Sequence, residues 1–175
     1  MLDIALIRQK PDWVKDQITK LNAPEVLERV DAIIELDLKR RKLLQEVEDL
    51  QSHRNKLNKG VGRLRGDKKL ETETKAARAF HATNALKDND LVLAEAILTG
   101  QEPVDKNANN DDLNTVLDRL TDQLRGVSDR VNDINDQLKP INDQLQEHML
   151  WLPNMPHESV PIADSEESNV ERAPE

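Results

Sequence analysis

The chain has 175 residues, of which 37% are hydrophobic, 34% charged and 2% aromatic, and it contains no cysteine. This length suits one domain, or one domain with an appendage. So few aromatic residues argue against a large β or α/β core, whereas the high charged fraction is typical of long helices and coiled coils. The lack of cysteine excludes disulfides, cysteine zinc sites and thiol nucleophiles.

The sequence also lacks the usual marks of a membrane or secreted protein. No apolar run approaches the ~20 residues that span a bilayer. The start, MLDIALIRQKPD, reaches a charged residue within three positions, and it lacks the basic flank and apolar block of a signal peptide. We therefore expect a cytoplasmic protein with no membrane partner.

The net charge of −9 at pH 7 is distributed unevenly along the chain. Residues 53–78 hold nine basic and three acidic residues, a net charge of +6, whereas residues 111–150 carry a net charge of −5. A partner responds to local charge, because charges act mainly within a Debye length of about 10 Å. The basic stretch therefore predicts a local anionic partner, and a solvated helix face is the alternative interpretation.

Residues 1–23 predict short helices, since Pro11 suits the first turn of a helix. Residues 24–65 predict the first long helix, whose seam residues recur in steps of three and four over five heptads. They are Ile33, Leu36, Arg40, Leu43, Val47, Leu50, Arg54, Leu57, Val61 and Leu64. Gly60, Gly62 and Gly66 weaken the helix and predict that this seam ends near residue 64.

Residues 66–112, which we call the intervening segment, predict an elaborated helical tip. Two stretches are plausible short helices, LETETKAARAFHATNALK and LVLAEAIL, and the polar loop QEPVDKNANNDD follows them. We expect five apolar residues to cover this tip, namely Phe80, Leu91, Leu93, Ile97 and Leu98.

Residues 113–152 predict the second long helix, with a more regular seam. The seam has twelve positions that follow one another at alternating distances of four and three residues, and eleven of these positions are aliphatic. They are Leu113, Leu117, Leu120, Leu124, Val127, Val131, Ile134, Leu138, Ile141, Leu145, His148 and Leu152. Two apolar stripes on one chain favour an antiparallel hairpin, and pairing of each helix with another chain is the alternative.

We therefore predict an all-α fold, a long antiparallel two-helix coiled-coil hairpin with short N-terminal helices and an elaborated helical tip. Beyond the second helix, proline and acidic residues predict an extended C-terminal linker over residues 153–175.

No catalytic motif is recognisable in the sequence. It has no GxxxxGK[ST], GxGxxG, HExxH or GxSxG pattern, and its four histidines form no ligand pair. Carboxylates are plentiful, but we expect those on helices to face outward and to solubilise the chain. We predict no catalytic, cofactor-binding or metal-binding residue in this segment.

Several sequence motifs occur in a fixed order along the chain. The opening MLD, IR and PD motifs lie within residues 1–12, and RRK through LQSHRNK lies at residues 40–56. The most specific stretch, LPNMPHESVP at residues 152–161, is followed by NVE at residues 169–171. In this order the motifs resemble bacterial seryl-tRNA synthetases, and the last stretch is similar to that family's junction between arm and catalytic domain.

This resemblance implies that residues 1–152 form the family's tRNA-binding arm and that residues 153–175 lead towards a catalytic domain. In that family the arm is a coiled coil that reaches across a homodimer formed through the catalytic domain. It clamps the long variable arm and elbow of serine tRNA, and selenocysteine tRNA stays an open further partner. The catalytic domain would activate serine with ATP and Mg, and no DNA partner is implied.

The resemblance also implies RNA-binding residues within the basic stretch. Arg54 and Asn55 match the family motif directly, although Arg54 also occupies a seam position, where its stem can pack while its head reaches solvent. Six basic residues follow them as further RNA-binding candidates: Lys56, Lys59, Arg63, Arg65, Lys68 and Lys69.

The chain departs from the family pattern in two ways. Its intervening segment makes the arm longer than is usual, and its second helix is net acidic although the family's second helix normally shares in RNA contact. Lys75 and Arg78 would take part only if the intervening segment adds its own RNA contact. A protein-binding scaffold or chaperone-like hairpin and a parallel coiled-coil spacer are the alternatives, and the basic stretch and the LPNMPHESVP junction favour tRNA binding.

Overall fold

The computed structural model describes residues 2–108 and 111–155, and most of these residues are helical, with no strand among them. The helices are α1 (Ile4–Gln9), α2 (Pro11–Lys20), α3 (Leu27–Gly66), α4 (Thr72–Lys87), α5 (Leu91–Thr99) and α6 (Leu113–Leu150). Short 3-10 helices lie at Pro24–Val26 and Lys106–Ala108. The all-α prediction is confirmed. Of the expected linker, only residues 153–155 are described, and the rest lies outside the described residues.

The chain divides into two compact units. Unit 1 comprises Met1–Lys42 and Lys139–Glu175, and unit 2 comprises Leu43–Leu138. The first part of α3 belongs to unit 1 and its later part to unit 2. The first part of α6 belongs to unit 2 and its last part to unit 1.

In unit 1 the parts of α3 and α6 run antiparallel. The Nε of Arg40 donates to Asn142 Oδ1 at 2.8 Å, whereas the guanidinium of Arg29, eleven residues earlier, lies 4.8 Å from the ring centroid of Trp151. Helices α1 and α2 pack on this pair through a core that consists mainly of Ile7, Val14, Ile18, Val30, Ile33, Leu145 and Met149.

One carboxylate of α3 in unit 1 faces inward. The expectation that helix carboxylates face outward is wrong for Asp37, whose side chain is only 3% exposed. The Nε of Arg41 donates to Asp37 Oδ2 at 3.0 Å, and Nη1 of Arg8 lies 3.7 Å from the same oxygen. Because α1 covers this face of α3, the buried carboxylate is matched by cations from both helices.

In unit 2 the parts of α3 and α6 also run antiparallel. Arg65 Nη2 donates to Thr121 Oγ1 at 3.3 Å, and Glu46, earlier on α3, lies 3.9 Å from Arg130, later on α6. Valine, leucine and isoleucine of the predicted seams are buried between them: Val47, Leu50, Leu57, Val61, Leu64, Leu117, Leu120, Leu124, Val127, Val131, Ile134 and Leu138.

Helices α4 and α5 complete a four-helix core at one part of unit 2. The face of α4 that enters this core is rich in alanine, whose small side chain lets helices approach closely. Of the apolar residues expected there, Ile97 and Leu98 are buried, and Phe80 and Leu91 are packed against the core. The expectation is wrong for Leu93, which is 39% exposed.

Glycine at position 60 lets α5 approach α3. A Cβ at Gly60 would lie 2.9 Å from Leu98 Cβ, closer than side-chain atoms tolerate, whereas a Cβ at Gly62 would meet no atom within 4 Å. Helix α3 continues through both glycines to Gly66. Gly60, which was expected from the sequence to weaken the helix, is therefore the point at which α5 packs on α3.

Acidic caps define the starts of α5 and α6. Asp90 Oδ1 accepts a hydrogen bond from the backbone N–H of Leu93 at 2.8 Å. Asp112 accepts from the backbone N–H of Thr115 at 3.1 Å and from its hydroxyl. The hydroxyl and backbone bonds from Thr115 lower the pKa of Asp112. The cap therefore stabilises α6 fully above the ordinary carboxyl pKa, and its contribution is lost as pH falls through the lowered value.

The contact at Gly60 generates a paired test of stability. We expect Gly60→Ala to lower the free energy of unfolding by about 1–3 kcal/mol, because the added methyl overpacks the contact with Leu98. Gly62→Ala is the matched control and should raise it by about 0.5–1 kcal/mol, since alanine is the better helix former. Urea unfolding followed by circular dichroism measures both changes. Equal stabilisation by the two variants would contradict the close approach of α5.

The buried carboxylate generates a second paired test. We expect Asp37→Asn to lower the free energy of unfolding by about 1–3 kcal/mol, because hydrogen bonds to a charged group are lost in a buried position. Asp31, whose side chain is 60% exposed and pairs with Lys15 at 2.6 Å, provides the control. Asp31→Asn should change stability by at most about 1 kcal/mol. A smaller effect at Asp37 than at Asp31 would show that the inward pair does not hold α1 on α3.

Candidate nucleic-acid interface

Most of the basic residues predicted to bind RNA are exposed on α3 in unit 2 or just beyond its end. The exposed basic residues of α3 are Lys56, Lys59, Arg63 and Arg65, and the neutral candidate Asn55 is exposed as well. Two further exposed lysines, Lys68 and Lys69, follow the helix. Arg54 is half-buried, which agrees with its seam position. Its guanidinium has no hydrogen bond or ion pair to any residue in 2–108 or 111–155.

Some of the α3 residues in unit 2 line two grooves. The α3–α5 groove, of about 260 Å³, is lined by Lys56, Lys59, Gly60, Arg63, Glu95, Thr99 and Gln101. The α3–α6 groove, of about 300 Å³, is lined by Asn58, Val61, Gly62, Arg65, Thr121, Leu124, Arg125 and Ser128. Helical spacing explains the division, because residues three, four and seven apart share one face of a helix.

The two grooves differ in charge. In the α3–α5 groove three cations face one carboxylate, that of Glu95. Oε1 of this carboxylate lies 3.1 Å from His53 Nδ1, and its Oε2 lies 3.5 Å from Lys56 Nζ. Within the described part of the chain, Lys59 and Arg63 have no ion pair. This groove therefore keeps two exposed cations that no carboxylate neutralises.

The α3–α6 groove has less free positive charge. Arg125 pairs with Asp122 at 3.0 Å, which leaves one cation, Arg65, whose guanidinium donates to the neutral hydroxyl of Thr121 and keeps its charge. The part of α6 beside this groove, residues 113–128, has no net charge, because its two aspartates are balanced by two arginines. An anion is consequently attracted more strongly to the α3–α5 side.

The sequence did not reveal the partners that α5 supplies. It predicted Lys56, Lys59 and Arg63, but it gave no indication that Glu95, Thr99 and Gln101 would lie beside them. No local signal identified them, because Gly60, which packs against Leu98, has the same appearance in the sequence as Gly62, where a Cβ would meet no atom within 4 Å.

The described residues carry no feature of a membrane span or a metal centre. None of their helices combines the length and apolar character needed to cross a bilayer. Among residues 2–108 and 111–155, histidine and acidic side chains form no group of three that could hold a metal ion.

Comparison with known proteins identifies the family. The family model described as the seryl-tRNA synthetase N-terminal domain matches residues 1–99. The chain is 29% identical over 171 residues to a serine–tRNA ligase of Thermococcus sibiricus, an alignment that covers 97% of this chain and 27% of that ligase. A serine–tRNA ligase of Desulfitobacterium hafniense is 29% identical over 172 residues, covering 98% of this chain and 29% of the ligase.

Higher identity is confined to part of the chain. A serine–tRNA ligase of Thermomicrobium roseum is 42% identical over 80 residues, which cover 46% of this chain and 17% of that ligase. The chain thus spans less than a third of the length of each of these relatives. The resemblance inferred from the sequence motifs is confirmed, and the chain belongs to the family of seryl-tRNA synthetase N-terminal domains.

Proposed function

We propose that this chain is the tRNA-binding arm of a serine–tRNA ligase and that it recognises the long variable arm and elbow of serine tRNA. The observation that carries the proposal is the set of exposed cations on α3 in a member of this family. Lys59 and Arg63 can each neutralise a phosphate without first leaving an intramolecular partner. Residues 1–152 would form the arm, and residues 153–175 would lead towards the catalytic domain.

Recognition on this surface would be of shape and phosphate positions. Base stacking on aromatic side chains is not the mechanism we propose, because the chain has only three aromatic residues and none of them lines either groove. Phosphate contacts position a folded RNA without reading its sequence. The proposed RNA contacts are Arg54, Asn55, Lys56, Lys59, Arg63, Arg65, Lys68 and Lys69.

The arm would serve a reaction performed elsewhere in a longer parent. In the proposed parent, a cytoplasmic homodimer, a separate catalytic domain would join serine to tRNA with ATP and Mg. This chain has no phosphate-binding loop motif, and its described residues offer no metal-ligand group. Its contribution to the reaction would be to hold the tRNA so that the acceptor end reaches the active site.

Charge reversal tests the proposed contact. We expect the triple variant Lys59→Glu, Arg63→Glu and Arg65→Glu to weaken binding of a long-variable-arm tRNA by at least about tenfold at low salt. The slope of log K against log salt should become shallower by about 2–3, because each lost phosphate contact removes about 0.9. Fluorescence anisotropy over a salt series measures both quantities.

The matched control reverses three exposed lysines of unit 1, Lys10, Lys39 and Lys42. It changes the net charge equally, so an equal loss of affinity would attribute binding to net charge and contradict a contact on the part of α3 that lies in unit 2. Equal affinity of the unchanged chain for a tRNA with a short variable arm would contradict recognition of the long arm.

A further inference from the structure

Two residues of the intervening segment lie in the same groove as the unneutralised cations of α3. Thr99 and Gln101, at and just beyond the end of α5, line the α3–α5 groove opposite Lys59 and Arg63. All four side chains are exposed. The groove is therefore assembled from two parts of the chain that are distant in sequence.

The packing of α5 on α3 fixes this juxtaposition. Leu98 is 3% exposed and packs against Gly60. Glu95, one turn before Leu98 on α5, has its Oε1 3.1 Å from Nδ1 of His53 on α3. Because Leu98 is locked into the core, the next residue, Thr99, is held at the mouth of the groove. The α5 side of the groove is thus preorganised, which reduces the entropy lost on binding.

The half-buried side chain of Arg78 lies at the same end of α5. A Cβ at Gly100 would lie 2.7 Å from Arg78 Nη2, so the guanidinium of Arg78 packs directly on this glycine. The C-terminal end of a helix carries partial negative charge. Arg78 offsets that charge beside the groove, and its Nε is buried without a hydrogen-bond partner in the described structure.

The neutral side chains suit a sugar better than a second phosphate. The hydroxyl of Thr99 donates to the carbonyl of Glu95 at 2.9 Å, which leaves its oxygen lone pairs as acceptors. The amide of Gln101 has both donor and acceptor atoms, and it makes no side-chain hydrogen bond within residues 2–108 and 111–155. A ribose 2′-hydroxyl, which both donates and accepts, is the group that distinguishes RNA from DNA at such a position.

We propose that the α3–α5 groove binds the sugar–phosphate backbone of RNA, with Lys59 and Arg63 on phosphates and with Thr99 and Gln101 on ribose 2′-hydroxyls. This inference rests on the proposed function and adds to it that the intervening segment supplies one side of the RNA site. Glu95 is the one carboxylate among the residues that line the groove, and it opposes binding.

Substitutions on the α5 side test this inference separately from the basic residues of α3. The probe is a stem-loop RNA with a stem as long as a long variable arm, titrated into the full 175-residue chain. Gln101→Glu should weaken binding about fivefold, the effect of one unit charge about 4 Å from a phosphate in water. Gln137→Glu, an exposed α6 residue outside both grooves, is the matched control and should leave the affinity within about twofold.

A gain of binding provides the complementary test. Glu95→Gln removes the carboxylate from the groove and should strengthen RNA binding about fivefold, by the same unit-charge argument. Circular dichroism checks that each variant remains helical. A DNA hairpin of the same sequence should bind more weakly to the unchanged chain, and Gln101→Ala should reduce the difference between RNA and DNA.

The outcomes separate this inference from the proposed function. If reversal of Lys59 and Arg63 weakens binding while Gln101→Glu behaves like Gln137→Glu, the groove inference is overturned and the proposed function stands. Equal affinity for the RNA and DNA hairpins would overturn the assignment of the 2′-hydroxyl. If the unchanged chain binds neither the stem-loop nor a long-variable-arm tRNA, the proposed function is overturned and this inference fails with it.

Discussion

The burial of one apolar stripe on α3 against one on α6 is the interaction on which the other features depend. Each fully buried leucine, such as Leu57 or Leu120, contributes about 1.5–3 kcal/mol, whereas an exposed ion pair contributes about 0–1 kcal/mol. The seam therefore determines that these helices pair in antiparallel orientation within each unit. The charged faces contribute little to stability, so selection for a partner can act on them with little effect on folding.

The two helices differ in the charge that their exposed faces carry. The later part of α3 is basic, whereas the neighbouring part of α6, residues 113–128, has no net charge. On α3, the side that meets α5 retains exposed Lys59 and Arg63, while the side that meets α6 has its arginine engaged with Thr121. Helix α5 of the intervening segment thus borders the face of α3 that carries Lys59 and Arg63, and it packs there by a close contact at Gly60.

Much of this organisation was predictable from the sequence, because heptad spacing reports directly on which residues are buried. The seams of both long helices, the short N-terminal helices and the position of the basic residues followed from local patterns. The contacts of α5 were not predictable, since they join Gly60 to Leu98 and His53 to Glu95 across about forty residues of sequence. Periodicity within one helix carries no information about which distant helix will pack on it. The burial of Asp37 was missed for the same reason, because its partner Arg8 lies on another helix.

The most direct measurement of the central claim is an NMR titration of the isotopically labelled chain with a long-variable-arm tRNA. RNA binding by the basic face of α3 predicts that the backbone amide shifts concentrate at residues 54–69, with further shifts at residues 99–101. Shifts confined to α6 or to unit 1, with residues 54–69 unchanged, would contradict that claim.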